Sequence, residues 1–149
     1  ERVSVSELIR YSAEPVLIPM ELRQQKLTIN MNGDESYAGD LRWTVEAVEN
    51  ILKNCMEHTP VGGEIKVDVC ENAIYTEILI SDNGCGIAKE DLTHLFERFY
   101  KGKDSGEQSV GIGLALARMI ITNQNGTIKA ENQRTGGALF TIRFYKGAV

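Results

Sequence analysis

The chain has 149 residues, of which 42% are hydrophobic and 25% charged, a balance typical of one globular domain with a real core. A net charge of −5 argues against a general nucleic-acid binder, because such proteins gain affinity from excess Lys and Arg. Cys55, Cys70 and Cys85 lack C-x-x-C spacing, which disfavours a zinc site or disulfide framework and favours a reducing compartment. We expect neither a signal peptide nor a membrane span, since no apolar run approaches the roughly eighteen residues required.

The first quarter of the chain is predicted to hold an interrupted helix and one strand. Residues 3–25 have helical spacing, but Pro15 and Pro19 fall inside this segment. Because proline lacks a backbone donor and clashes with the preceding turn, we expect a kink or two short helices. Residues 26–31 are predicted to form a strand, and residues 32–36 a turn. The candidate core residues of the helix are Leu8, Ile9 and Val16.

A long amphipathic helix is predicted from about residue 40 to residue 58, and Pro60 with the following glycines ends it. Residues four apart share one helix face, so Glu46, Asn50, Asn54 and His58 form a polar stripe. Asparagine is a poor helix former, and its amide oxygen suits a hard cation that also carries a phosphate ligand. The alternative is an ordinary solvated face.

The rest of the chain is predicted to alternate hairpins with helices. In chain order these elements are a strand pair over 64–70 and 74–81, a short helix over 89–96, a mobile loop over 101–108, a helix that begins near Gly111, and a final hairpin over 127–131 and 138–145. This mixture predicts the α+β class, with helices on one face of a sheet.

The segment DNGCGI follows a predicted strand directly. Asp82 ends that strand, where its carboxylate can accept a hydrogen bond from the exocyclic amine of adenine. Gly84 and Gly86 allow the backbone to approach a flat ligand closely. The alternative is a hairpin turn, which Asn-Gly after a strand commonly forms.

The segment GIGLALA begins a helix with the glycine pair Gly111 and Gly113. Exposed amides at a helix N-terminus bind phosphate, although a lone G-x-G is equally compatible with a flexible entry into a core helix. The segment matches neither the dinucleotide fingerprint nor the P-loop. Lys101, in the preceding glycine-containing loop, is either a phosphate contact or a solvated lysine.

These motifs, in this order, resemble one family over the whole chain. NILKNCMEHTP is similar to the N box, DNGCGI to the G1 box, FERFYKG to the F box and SVGIGLAL to the G2 box of the sensor histidine kinase catalytic and ATP-binding domain, in the GHKL superfamily; TGGALF resembles its terminal glycine box. The resemblance implies a single domain over 1–149 with the Bergerat fold. This is a two-layer α/β sandwich whose helices pack on one face of a mixed, mostly antiparallel sheet.

The resemblance also implies an ATP site with Mg²⁺. Asn54 would hold the Mg²⁺ that bridges the phosphates, with Asn50 assisting, and Asp82 would accept from the adenine amine. The remaining implied ATP-binding residues are His58, Gly84, Gly86, Ile87, Lys101, Gly111, Ile112, Gly113 and Leu114. The chain departs from the family pattern at Glu57, where a basic residue is frequent, and at Ala138, where threonine is common.

Further expectations concern what lies outside this chain. His58 belongs to the nucleotide box and His94 precedes Leu95, so neither fits the acceptor histidine, which the family places on a separate helical hairpin before an acidic residue. The resemblance therefore implies a dimerisation and phosphoacceptor domain upstream of Glu1, and a response-regulator receiver domain as partner. We expect a homodimeric full-length protein, a monomeric isolated domain, and a cytoplasmic location within a bacterial membrane-anchored sensor.

Three further functions are compatible with these motifs. ATP hydrolases of the gyrase, MutL and chaperone type place a glutamate one turn before the metal-binding asparagine to activate water. This chain has Asn50 there, and an amide is a poor base. A nucleotide-sensing pseudokinase module and a serine kinase of the anti-sigma-factor type would also carry these motifs.

Overall fold

The computed structural model describes residues 1–97 and 113–147. Its helices are α1 (Val5–Leu22), α2 (Leu41–His58), α3 (Lys89–Leu92) and α4 (Gly113–Thr122). Its strands are β1 (Arg2–Ser4), β2 (Lys26–Asn30), β3 (Ser36–Ala38), β4 (Glu64–Glu71), β5 (Tyr75–Asp82), β6 (Gly126–Asn132) and β7 (Ala138–Tyr145). None of the helices in these two ranges is long and apolar enough to cross a bilayer.

The main sheet has five strands in the order β2-β4-β5-β7-β6. Only the β2–β4 pair is parallel, and the other three pairs are antiparallel. Both predicted hairpins are present, and β7 lies between β5 and β6. The predicted α+β class with a mixed, mostly antiparallel sheet is confirmed. The small β1–β3 sheet was not predicted, because three-residue strands are too short to show an alternating pattern.

The core lies between the helical layer and one face of the sheet. Strand register aligns Val67, Ile80 and Phe140 across β4, β5 and β7, and all three side chains are fully buried. Ile51, Leu52 and the other buried residues of α2 belong to the same cluster. Each such side chain contributes about 1.5–3 kcal/mol through burial. This packing fixes the positions of the helix faces and of the ends of the strands that form the site.

The first helix is continuous, so one of the two forms predicted for it, a pair of short helices, is not found. Ser4 caps α1 by accepting from the Glu7 backbone N–H at 3.3 Å, and the helix continues through both prolines instead of dividing into two. A proline inside a helix frees the carbonyl four residues before it, here those of Tyr11 and Pro15. Both residues are exposed, so water can satisfy their carbonyls and the helix tolerates the prolines.

The second helix confirms the prediction for residues 40–58. Asp40 caps it by accepting from the Trp43 backbone N–H at 3.2 Å. Its C-terminal end is held from outside, since Arg23 Nη1 donates to the Met56 carbonyl at 2.8 Å and Gln25 Nε2 donates to the same carbonyl at 3.0 Å. The last turns of α2 are therefore fixed to the segment that enters β2.

The third helix is shorter than predicted. The helix expected over 89–96 is confined to Lys89–Leu92, and turns follow it. The predicted mobile loop over 101–108 lies outside the described residues, as does the predicted helix start at Gly111.

Candidate functional site

The polar stripe on α2 faces other elements of the fold. Asn50, Asn54 and His58 are half-buried, whereas Glu46 on the same stripe is exposed. Asn50 lies against the start of α4, because a Cβ on Gly113 would be 3.2 Å from Asn50 Oδ1. No hydrogen bond within the described ranges engages the Asn50 or Asn54 amide. Both amides are thus left without a hydrogen-bonding partner in those ranges, although both residues are half-buried.

Asp82 ends β5 and points into the interior, with only 5% of its surface exposed. Its Oδ1 accepts from the backbone N–H of Gly84 at 2.9 Å and of Ala138 at 3.1 Å. No ion pair recorded for the described residues includes this carboxylate. A carboxylate buried this deeply needs hydrogen-bond donors, and these two backbone N–H groups supply them to one of its oxygens.

Cys55 lies beside this carboxylate. The residue is fully buried on α2, one position after Asn54. Burial, reinforced by the neighbouring Asp82 carboxylate, raises the pKa of the Cys55 thiol well above its usual value. The thiol therefore stays protonated. Because Cys55 belongs to α2 and Asp82 ends β5, α2 packs directly over the end of β5.

The glycines of the DNGCGI loop are required by packing. A Cβ on Gly84 would overlap the carbonyl oxygen of His58, so this glycine lets the loop touch the end of α2. Gly86 has a φ of +82°, and a Cβ there would be 2.7 Å from Asn132 Oδ1. Both glycines thus have structural reasons that are independent of any ligand.

The β6–β7 hairpin supports this loop from the other side. Asn132 Oδ1 accepts from the Ile87 N–H at 2.7 Å, and Asn132 Nδ2 donates to the Ile87 carbonyl at 2.8 Å. Gln133 Nε2 donates to the Asp82 carbonyl at 3.0 Å. Sequence reasoning missed both residues, because no local pattern reveals that β7 lies next to β5 and brings the hairpin to the loop.

The structure brings several of the predicted site residues together, since α2 contacts Gly113 at Asn50 and Gly84 at His58. Asn50, Asn54 and His58 come from α2, and Gly113 and Leu114 come from the start of α4. The residues from the end of β5 and its loop are Asp82, Gly84, Gly86 and Ile87. Lys101, Gly111 and Ile112 lie outside the described residues, so their predicted roles stay predictions.

Two cavities, of about 350 and 300 Å³, lie elsewhere on the protein. They are lined by residues of the β4–β5 turn and of the β1–β3 sheet, near the opposite end of β5 from Asp82. Lys146 and Glu71 in their walls are already paired at 2.8 Å. These cavities are therefore separate from the candidate site.

Comparison with known proteins identifies the fold and the family. Residues 39–147 match the family model "Histidine kinase-, DNA gyrase B-, and HSP90-like ATPase". The heme sensor protein HssS of Staphylococcus saprophyticus is 34% identical over 119 residues, covering 80% of this chain and 24% of that protein. The sensor histidine kinase YvrG of Bacillus subtilis is 34% identical over 112 residues, covering 74% of this chain and 19% of that protein.

Solved structures show the same fold. A mycobacterial sensor histidine kinase, MprB, superposes with a TM-score of 0.88 at 23% identity, covering 97% of each chain. The catalytic domain of the histidine kinase ThkA gives 0.85 at 22% identity, covering 98% of this chain and 97% of that one.

The chain spans about a quarter or less of the two curated relatives. The family description names an ATPase, which supports ATP as the ligand. The predicted resemblance to histidine kinase catalytic domains is confirmed, and the chain belongs to the family of histidine kinase-, DNA gyrase B- and HSP90-like ATPases.

Proposed function

We propose that this chain is the catalytic and ATP-binding domain of a two-component sensor histidine kinase. It binds ATP with Mg²⁺ and transfers the γ-phosphate to a histidine on a separate dimerisation domain, from which the phosphate passes to a response-regulator aspartate. The observation that carries the proposal is the buried Asp82 carboxylate, held at a glycine loop beneath the helix that bears Asn50 and Asn54.

Asp82 is the proposed adenine-reading residue. Two backbone N–H groups occupy its Oδ1, so its Oδ2 is the oxygen we assign to the adenine amine. At 5% exposure the carboxylate lies where little water competes, which strengthens a charge-assisted hydrogen bond. Gly84, Gly86 and Ile87 of the adjoining loop would line the adenine ring.

The donor set on α2 fits Mg²⁺. This ion prefers oxygen ligands, keeps several waters and is commonly bound through one or two protein groups together with substrate phosphates. Half-buried Asn54, assisted by Asn50, would supply amide oxygens of this kind. Within the two described ranges no group of three or more His, Cys, Asp or Glu side chains could hold a metal by itself, so the phosphates would complete the coordination.

His58, Lys101, Gly111, Ile112, Gly113 and Leu114 are the residues we assign to the phosphate side. His58 ends α2, and Gly113 begins α4 against Asn50. Bound Mg²⁺ would neutralise the charge that develops as the γ-phosphate moves, while the protein mainly aligns ATP with the acceptor.

The acceptor belongs to a different segment of the protein. His58 lies within the proposed site, and His94 Nδ1 pairs with Glu97 Oε2 at 2.6 Å on the surface. Neither precedes an acidic residue. We therefore place the acceptor on a dimerisation domain, in a homodimeric full-length protein whose catalytic domain works in the cytoplasm.

Hydrolysis of ATP by water is the alternative activity. It requires a general base near the attacking water, and at Asn50 this chain presents an amide next to Gly113. The two curated relatives are named as sensors, one of them explicitly a histidine kinase, which also favours transfer to a protein. We therefore expect slow ADP formation by the isolated chain.

A phosphotransfer assay tests the proposal. The chain is incubated with Mg²⁺ and ATP labelled in the γ-phosphate, with and without an added acceptor hairpin that carries a histidine. We expect acid-labile label on the hairpin, lost in Asn54→Ala and retained in Asn123→Ala, which alters an exposed asparagine just after α4. Rapid release of labelled phosphate with none on the hairpin would instead support the hydrolase.

A further inference from the structure

Asn132 joins the β6–β7 hairpin to the DNGCGI loop through two hydrogen bonds. Its side-chain amide pairs with both backbone groups of Ile87, at 2.7 Å for the acceptor and 2.8 Å for the donor, across 45 residues of sequence. The side-chain amide of Asn132 thus pairs with both the N–H and the carbonyl of Ile87, as the backbone of a neighbouring strand would. Ile87 itself is half-buried against the core, so its side chain and backbone are both held.

The loop is shaped to receive this amide. A Cβ on Gly86 would be 2.7 Å from Asn132 Oδ1, so a side chain there would displace the amide. Gly86 also has a φ of +82°, a conformation that side chains rarely adopt. The glycine before Ile87 therefore serves the contact with Asn132.

The same hairpin also contacts Asp82. Gln133 Nε2 donates to the Asp82 carbonyl at 3.0 Å, and the Ala138 N–H donates to Asp82 Oδ1 at 3.1 Å. The hairpin therefore fixes both ends of the Asp82–Ile87 segment: Asp82 through Gln133 and Ala138, and Ile87 through Asn132. Without Asn132, the Ile87 end of this segment would lose both of its recorded backbone contacts to the hairpin.

We propose that Asn132 is a positioning residue for adenine-nucleotide binding, which holds the loop from Asp82 to Ile87 in the conformation that accepts the base. This inference rests on the proposed function. Asn132 acts through Ile87 and touches no part of the nucleotide. A ligand's apparent affinity falls in proportion to the fraction of protein in the competent conformation. Losing both hydrogen bonds should therefore weaken nucleotide binding about tenfold.

Two substitutions separate the contributions of the amide. Asn132→Ala removes the donor and the acceptor together. Asn132→Asp has the same size and keeps the acceptor for the Ile87 N–H, but it turns an oxygen toward the Ile87 carbonyl at the position of the present donor. We expect both variants to weaken binding, and the isosteric one keeps the test valid where the alanine variant does not fold.

Asn72 supplies the matched control. It is exposed, like Asn132, and its Oδ1 accepts from the backbone N–H groups of Ile74 at 2.8 Å and Tyr75 at 2.9 Å. It lies in the β4–β5 turn, at the opposite end of β5 from Asp82, and that strand is about 23 Å long. Asn72→Ala therefore removes two side-chain contacts to the backbone from a turn of the same sheet, far from the site.

The experiment measures the dissociation constants of ATP and ADP, with and without Mg²⁺, together with the unfolding midpoint of each variant. For Asn132→Ala we expect about tenfold weaker binding of both nucleotides and an unchanged effect of Mg²⁺, because the loop acts on the base. For Asn72→Ala we expect parental affinities. Faster hydrogen exchange of the Ile87 amide in Asn132→Ala would show release of the loop directly.

The outcomes are distinguishable. If the parent protein binds neither nucleotide, the proposed function fails and the inference fails with it. If the parent binds and both Asn132 variants match it, the inference is overturned and the proposed function stands. If Asn72→Ala weakens binding as much as Asn132→Ala does, with an equal fall in unfolding midpoint, the role of Asn132 is only structural and the inference is overturned.

Discussion

Asp82→Asn is the most informative substitution, because the structure separates the two oxygens of this carboxylate. Oδ1 accepts from the Gly84 and Ala138 N–H groups, and an asparagine oxygen can accept from both. The amide nitrogen would then replace Oδ2. A nitrogen that donates cannot accept from the adenine amine, so binding should fail while the loop keeps its internal contacts.

The expected magnitude follows from the type of hydrogen bond. A hydrogen bond to a charged group contributes about 1.5–3 kcal/mol, which corresponds to about 10- to 150-fold in the dissociation constant of ATP or ADP. The free energy of unfolding should change by about 1 kcal/mol or less, because weaker bonds to Gly84 and Ala138 are offset by the removal of a buried charge. Affinity should therefore change far more than stability.

Calorimetric titration with ADP and a denaturant unfolding curve measure the two quantities. Asp68→Asn is the control, since Asp68 is a half-buried β4 carboxylate whose Oδ1 accepts from Asn30 Nδ2 at 2.8 Å. The control should bind ADP like the parent. If Asp82→Asn binds ADP within twofold of the parent while remaining folded, the assignment of Asp82 to adenine is wrong.

Three further predictions test other parts of the structure. Asn54→Ala should bind ATP normally in EDTA but lose the gain on adding Mg²⁺; retention of that gain in a titration would refute the ligand assignment. Gly137→Ala should destabilise the fold by more than the roughly 1–2 kcal/mol of left-handed strain, since its Cβ would overlap the Asp82 carbonyl. Gly136→Ala, with no atom within 4 Å, should show the strain alone in denaturant melts. Burial raises the pKa of Glu35, but backbone N–H donors outweigh it and hold the pKa below its usual 4.5. Its contribution to stability is then full above that pH and lost as the pH falls through the lower folded-state pKa. The stability of Glu35→Gln, measured by unfolding at a series of pH values, should therefore fall less on acidification than that of the parent protein.

The elements that the sequence predicted well are those whose pattern is local. α2 shows helical spacing over five turns and an Asp40 cap, and β4 alternates buried Ile65 and Val67 with outward residues. The expected division of α1 into two short helices is not found, because tolerance of a proline depends on which side of the helix is solvated. That orientation is a property of packing, which the spacing of residues 3–25 does not contain.

The residues of the candidate site likewise divide into those that a local motif predicts and those whose role depends on the strand order. Asn54, Asp82 and Gly113 were predicted because each belongs to a short motif with its own chemistry. Asn132 and Gln133 were missed because their role depends on strand order, which places β7 between β5 and β6 and brings the hairpin turn against the DNGCGI loop. Because the backbone polar groups of residues 82–87 need hydrogen-bond partners, knowledge of the strand order would have been enough to predict both residues.

The geometry of α2 links the two halves of the proposed site. On successive turns this helix places Asn50 against Gly113, Cys55 beside Asp82, and the His58 carbonyl against Gly84. Its apolar residues, among them Val48, Ile51 and Leu52, are fully buried in the core, so α2 cannot shift toward one half without disturbing the other. On the proposed function, the distance between the adenine end and the metal end is therefore set by core packing. On the same proposal, this rigidity would keep the Asn50 amide at the position where a hydrolase requires a base, which favours retention of ATP until a protein acceptor is aligned.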